Sequence, residues 1–166
     1  MTKSLQYLRA VALALGLTFT LHGFAQAPAA LAVSATVAST CVLVGGVLNF
    51  GSYTGATANG SGTITATCTS GSTAYVLLDQ GLNADTGSSN GSPLRRMSNG
   101  AGGFLSYGLY ITSPGQTIWG NTQATGKMVS GSGLVDTLTV YGQIPGGQYT
   151  APAGAYVDTV LVTFTF

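Results

Sequence analysis

Beyond about residue 30, apolar positions alternate with small or polar ones in short runs, and the run that closes the sequence is the clearest. Val160, Val162, Phe164 and Phe166 fall on one face of it, and Thr159, Leu161, Thr163 and Thr165 on the other. A period of two with one apolar face marks a β-strand laid against a core. Comparable runs rich in Thr, Val, Tyr and Phe predict strands near 31–43, 47–50, 61–69, 73–80, 104–111, 134–142 and 156–166. Gly, Asn, Ser and Pro separate them, and no segment after residue 30 sustains a helical period. The fold class is therefore all-β, and the spacing of strands and turns favours a sandwich over a barrel. Two longer polar stretches, 81–103 and 113–132, read as loops, and the second carries the single tryptophan, Trp119.

At the other end, Leu31, Val33, Ala35 and Val37 repeat the alternation in a segment that reads as a detached strand. The closing strand is followed by nothing that would cover its outer edge, and an exposed apolar edge invites another strand. A spare strand at one end and an uncovered edge at the other lead us to expect subunits that complete one another. A self-completed monomer is the alternative.

Ahead of this region, Lys3 and Arg9 flank the start of an apolar run from Ala10 to Leu21, and small residues follow. That is the layout of a secretory signal peptide. The run is about a dozen residues, against the roughly 20 needed to span a bilayer. We place cleavage after Ala25, with Ala29 as second choice, because a cut after Ala27 would leave Pro28 next to it. The remaining chain of about 140 residues suits one domain with its own core.

Charge is scarce after the signal: Arg95, Arg96, Lys127, Asp79, Asp85, Asp136 and Asp158 carry all of it, and Glu is absent. Nucleic acid is excluded as a partner, because neutralising phosphates needs clustered Lys and Arg. The Arg95-Arg96 pair reads as a solvated turn. Cys41 and Cys68 are the only cysteines, and in an exported chain a disulfide is the default. Closing a loop of about 27 residues stabilises a fold by about 3.5 kcal/mol. A metal site lacks partners, since the one histidine, His22, lies in the signal.

An enzyme is not expected: without His, Glu or a free thiol in the exported part, the usual general bases and activated nucleophiles are missing. No catalytic residue and no cofactor is assigned, and Asp158 reads as a structural hydrogen-bond acceptor. Trp119, Tyr107, Tyr110, Tyr141 and Tyr149 are candidates for stacking on sugars or abiotic surfaces, with core and cross-strand packing as the alternative.

A recognisable set of motifs runs through the same region. It includes Cys41, Leu48-Asn49-Phe50-Gly51-Ser52-Tyr53, Cys68-Thr69-Ser70-Gly71, Arg96-Met97 and Leu105-Ser106-Tyr107-Gly108-Leu109-Tyr110. It continues with Trp119-Gly120, Val140-Tyr141-Gly142-Gln143-Ile144-Pro145 and Gly154-Ala155-Tyr156-Val157-Asp158-Thr159-Val160. In this order and spacing the chain resembles the spore coat protein U domain family, which includes subunits of archaic chaperone-usher pili of the Csu type. The resemblance implies an incomplete immunoglobulin-like β-sandwich, held by a periplasmic chaperone, passed to an outer-membrane usher and completed by donor-strand exchange with the next pilin subunit. It implies three parts: a signal peptide at 1–25, a donor-strand extension at 26–40 and a sandwich domain at 41–166.

On this reading Leu31, Val33, Ala35 and Val37 are donor plugs, and Val160, Val162, Phe164 and Phe166 lie at the acceptor groove and chaperone contact. Strand addition of this kind combines main-chain hydrogen bonds with pockets for alternate side chains. Four such plugs would contribute on the order of 5 to 8 kcal/mol. The contact is head to tail and does not close, so an open filament results. The implied output is a fimbrium at the cell surface that supports adhesion and biofilm formation. Two rivals remain: a spore coat or matrix protein built from the same domain, and a surface-binding tip module.

Overall fold

The computed structural model describes residues 28–166, so the signal segment with Lys3, Arg9, His22 and the cut at Ala25 lies outside the described residues. Alternation has become pairing. The strands are β1 (Cys41–Val44), β2 (Ala58–Cys68), β3 (Thr73–Leu78), β4 (Arg95–Ser98), β5 (Phe104–Tyr110), β6 (Lys127–Ser130), β7 (Val135–Ile144) and β8 (Val162–Thr165). One 3-10 turn, Gln123–Thr125, precedes β6. A five-stranded sheet runs β1-β2-β7-β5-β4 and a three-stranded sheet runs β6-β3-β8. Every strand pairing in both is antiparallel.

Register decides which face is core. β2 and β7 are matched from Ala58↔Ile144 to Thr67↔Val135, which turns Ile64, Ala66, Leu138, Val140 and Ile144 inward, where all are buried. The intervening Thr63, Thr65, Thr67, Thr137 and Thr139 take the outer face, as the pleat requires. Across the sandwich, Ala74, Val76 and Leu78 of β3 meet Leu105, Tyr107 and Leu109 of β5 in one core cluster. Cys41 and Cys68, partners across β1 and β2, are joined by the expected disulfide.

After β1 the chain forms a strap, residues 46–50, in place of the expected strand at 47–50. Its alternation is real, since Leu48 and Phe50 pack on the core, but its backbone joins no ladder. The strap lies over glycines on the inner faces of β2 and β7. A Cβ at Gly62 would stand 2.6 Å from the Val47 carbonyl oxygen, and one at Gly142 would stand 2.7 Å from the Phe50 ring. Only glycine permits so close an approach.

Other expectations are corrected. The strand expected over 31–43 begins only at Cys41: of the described residues before it, only Ala38 and Thr40 make hydrogen bonds, all of them to Thr69 just past the end of β2. The stretches read as loops at 81–103 and 113–132 contain β4 and β6. Arg95-Arg96 is not a solvated turn: it opens β4, with Arg95 only 1% exposed. The closing strand is shorter than 156–166 and changes sheets. Val157 bridges Ser98 of β4, and pairing with β3 begins at Val162.

Candidate functional site

Between the two sheets lies a groove of about 440 Å³. One wall is the strap with Gly45 before it; the other is the closing segment Tyr156–Val160 with Val162. The floor is the inner face of both sheets, including Ile64, Leu78, Leu109 and Val140. β8 stands at the edge of its sheet, so the strip beside it lacks one strand. A second cleft of about 670 Å³ shares Leu48, Phe50, Met97 and Tyr156 with the first and continues it between loops 49–55 and 148–155.

Of the closing residues singled out by sequence, Val160 and Val162 line the groove and are partly buried against the core. Phe164 and Phe166 continue the row beyond it, 37% and 49% exposed, with their rings edge to face at 5.4 Å. At the other end of the chain, Leu31, Val33 and Val37 are more than four-fifths exposed, Ala35 is exposed too, and residues 28–40 belong to no strand. Val160 and Val162 thus share the groove wall, and Leu31, Val33, Ala35 and Val37 belong to no strand among the described residues.

The wall at 156–162 is held by polar anchors that periodicity does not show. Asp158 accepts from the Leu82 amide and the Asn83 side-chain amide, each at 3.0 Å, and from the Tyr107 hydroxyl at 2.7 Å. Asp79 accepts from the amides of Gly81 and Leu161, each at 2.9 Å. Burial, reinforced by the bond to Asp158, pushes the Tyr107 phenol well above its ordinary pKa. Its ring also meets Phe50 of the opposite wall edge to face, with centroids 6.0 Å apart. Tyr107 and Asp158 are thus structural members of the groove. Asp158 is legible in the sequence as a structural acceptor, but nothing in the spacing reveals Tyr107 as one of its donors.

Past the end of the pairing between β3 and β6, the sandwich is closed by side chains. Trp119 is fully buried and donates through Nε1 to the Val76 carbonyl at 2.8 Å. Arg95 donates to the carbonyls of Asp79, Leu78 and Trp119 at 2.8, 2.9 and 2.8 Å, while its Nη1 has no partner among the described residues. Burial lowers the Arg95 pKa to about 10, against the pull of Tyr107, Asp79 and Asp158, so it stays charged at neutral pH. Of the aromatics considered for surface stacking, Trp119 and Tyr107 belong to the core, and Tyr149 is 80% exposed.

Among the described residues no cluster of three or more His, Cys, Asp or Glu is placed to hold a metal ion. The carboxylates near the groove are engaged by the bonds above, and Asp85 pairs with Arg96 at 2.9 Å. What the site offers is an apolar slot bordered by a free strand edge, suited to an extended peptide.

Comparison with known proteins agrees with this architecture. A solved chain from the CsuC–CsuE chaperone-tip adhesion subunit pre-assembly complex of the archaic chaperone-usher Csu pili of Acinetobacter baumannii superposes with a TM-score of 0.50 at 24% identity. The match covers 79% of this chain and only 40% of that one. At that identity it speaks for the fold alone, an immunoglobulin-like sandwich. Protein U of Myxococcus xanthus is 42% identical over an alignment of 155 positions that covers 86% of each chain. The sequence profile of the Spore Coat Protein U domain matches residues 27–163, from the exposed N-terminal segment through the groove wall into β8. With a match of that extent laid over this fold, the chain belongs to the Spore Coat Protein U domain family.

Proposed function

We propose that the chain is a structural subunit of a surface fibre assembled by the chaperone-usher route, its groove filled by the N-terminal segment of the next copy. One observation carries the reading: an open groove and an unpaired apolar segment of matching length belong to the same chain. Residues 31–37 and the wall at 156–162 each span about seven residues, roughly 20 Å when extended. In the proposed assembly Leu31, Val33, Ala35 and Val37 enter as plugs between the strap and the closing segment. The donor backbone pairs with the free edge of β8, and Phe164 and Phe166 extend that contact. A periplasmic chaperone would occupy the groove before exchange, and an outer-membrane usher would release the growing fibre, with adhesion and biofilm formation as its output. The division into a signal at 1–25, a donor at 26–40 and a sandwich at 41–166 belongs to the same proposal. So does a structural, non-catalytic role.

The test is an unboiled gel of the chain exported to an oxidising periplasm, beside a chain lacking residues 26–40. A ladder of multiples that disappears on deletion, with the shortened chain captured by a synthetic 26–40 peptide, is the expected result. A single monomer band from the full chain, indifferent to the peptide, would refute the reading. A second reading, a coat protein that uses the same exchange without an usher, is favoured by the spore-coat description of the family. It predicts the same ladder in a host lacking any usher.

A further inference from the structure

Among the described residues, every hydrogen bond that reaches residues 28–40 ends on Thr69. Its amide donates to the Thr40 carbonyl at 2.9 Å. Its hydroxyl accepts from the Thr40 amide at 3.1 Å and lies 3.3 Å from the carbonyls of both Ala38 and Thr40, to one of which it donates. Thr69 is itself held fast. The amide and hydroxyl of Ser72 donate to its carbonyl at 3.1 and 2.6 Å, and Ser72 is buried. Gly131 sits so close to the same carbonyl that a Cβ there would overlap it, and its amide donates to Ser72 at 2.8 Å. One ladder step away is the Cys41–Cys68 disulfide. The anchor therefore holds Ala38–Thr40 in line with β1.

The arrangement it prevents is an ordinary one. A three-residue loop is enough for a β-hairpin. A turn at residues 38–40 would lay residues 31–37 along the free edge of β1, which leads into the strap that walls the groove. Leu31 and Val33 would then lie opposite Val47 and Gly45 at the strap end of the groove, Ala35 and Val37 would lie along β1, and the segment would no longer be free to enter another subunit.

We propose that Thr69 is a positioning residue that keeps Ala38–Thr40 extended, forbids this turn and commits the N-terminal segment to another subunit; the inference rests on the donor reading given above. Thr69→Val keeps the shape and the backbone bond but removes the hydroxyl, and Thr69→Ser restores it. Full-length chains carrying each change are exported to an oxidising periplasm, compared on unboiled gels and challenged with labelled 26–40 peptide. Thr69→Val is expected to raise the ratio of monomer to ladder about fivefold, the worth of one ordinary hydrogen bond, and its monomer is expected to take up less peptide because Leu31 and Val33 obstruct the strap end of the groove. Thr69→Ser is expected to behave as the unaltered chain does. An unchanged Thr69→Val ladder, or a Thr69→Val monomer that takes up peptide freely, would overturn the role of Thr69. Should Thr69→Val fail to accumulate, Ser72→Ala loosens the same anchor from its other side. A rise of about twofold in the ratio supports the proposal, and an unchanged ratio overturns it. Failure of the fibre reading itself is distinguishable, because there the unaltered chain gives no ladder at all.

Discussion

The two sides of strand β3 solve one problem in opposite ways. Past the end of its pairing with β6 at Val76, β3 is finished by side chains: Trp119 caps Val76, and Arg95 gathers the carbonyls of Leu78, Asp79 and Trp119. Beyond β8 no strand is paired among the described residues; Val160 and Val162 line the groove partly buried, and Phe164 and Phe166 lie partly exposed past it. A buried carbonyl needs a partner wherever it lies, and one long side chain satisfies three at the closed edge. The open edge presents a row of backbone groups with apolar side chains beneath them, and a strand satisfies such a row better than any side chain does. Arg95 serves the closed side, Asp79 and Asp158 hold the groove wall, and the floor of the slot is apolar.

The sharpest way to break the comparison is at the open edge. Replacing Val33 and Val37 by Asp in the 26–40 peptide should weaken its capture by the groove roughly a thousandfold, since two apolar burials are lost and two charges are desolvated. A competition assay against the unaltered peptide measures this. At the closed edge, Arg95→Met should cost about 3 to 5 kcal/mol, because three buried carbonyls lose their donor. Denaturant unfolding gives that figure, and a cost below about 1 kcal/mol would mean that the closed edge is held by Trp119 packing alone. Cys41→Ser should cost about 3.5 kcal/mol through the freed loop, read in the same unfolding experiment and in the yield of exported chain.

The smallest effect concerns Tyr107, which bridges core and groove. Its folded pKa is raised, so the stability it contributes is present below the ordinary phenol value of 10.0 and is lost as pH climbs past that value. Tyr107→Phe should cost about 1 to 2 kcal/mol at neutral pH and flatten the alkaline fall in stability. An alkaline limb of unchanged slope would assign that loss to other groups.

Sequence legibility follows the same division. β2, β3, β5, β7 and β8 were readable because each carries a long enough alternation of β-branched or aromatic residues. The short β4 and β6 were not, because Arg-Arg-Met-Ser and Lys-Met-Val-Ser carry no period-two apolar signal. Arg95 was misread for a physical reason. A guanidinium counts as a surface group until three carbonyls converge on it, and that convergence exists only in three dimensions. The strap at 46–50 passed for a strand because alternation reports which face is buried, not whether the backbone finds a partner. For the groove, Val160 and Val162 stood out as one wall of an uncovered edge. Its floor of Ile64, Leu78, Leu109 and Val140 is indistinguishable in sequence from any other core, because these residues are as buried as the rest of it.

The central claim is that the N-terminal segment of one copy becomes a strand in another, and hydrogen exchange on the assembled full-length chain tests it most directly. If the account is right, the amides of residues 31–37 exchange in the assembled material about as slowly as those of the central strand β2, and β8 gains protection on the same scale. If those amides exchange at unprotected rates while the material remains assembled, some other contact holds the copies together and the donor-strand account is wrong.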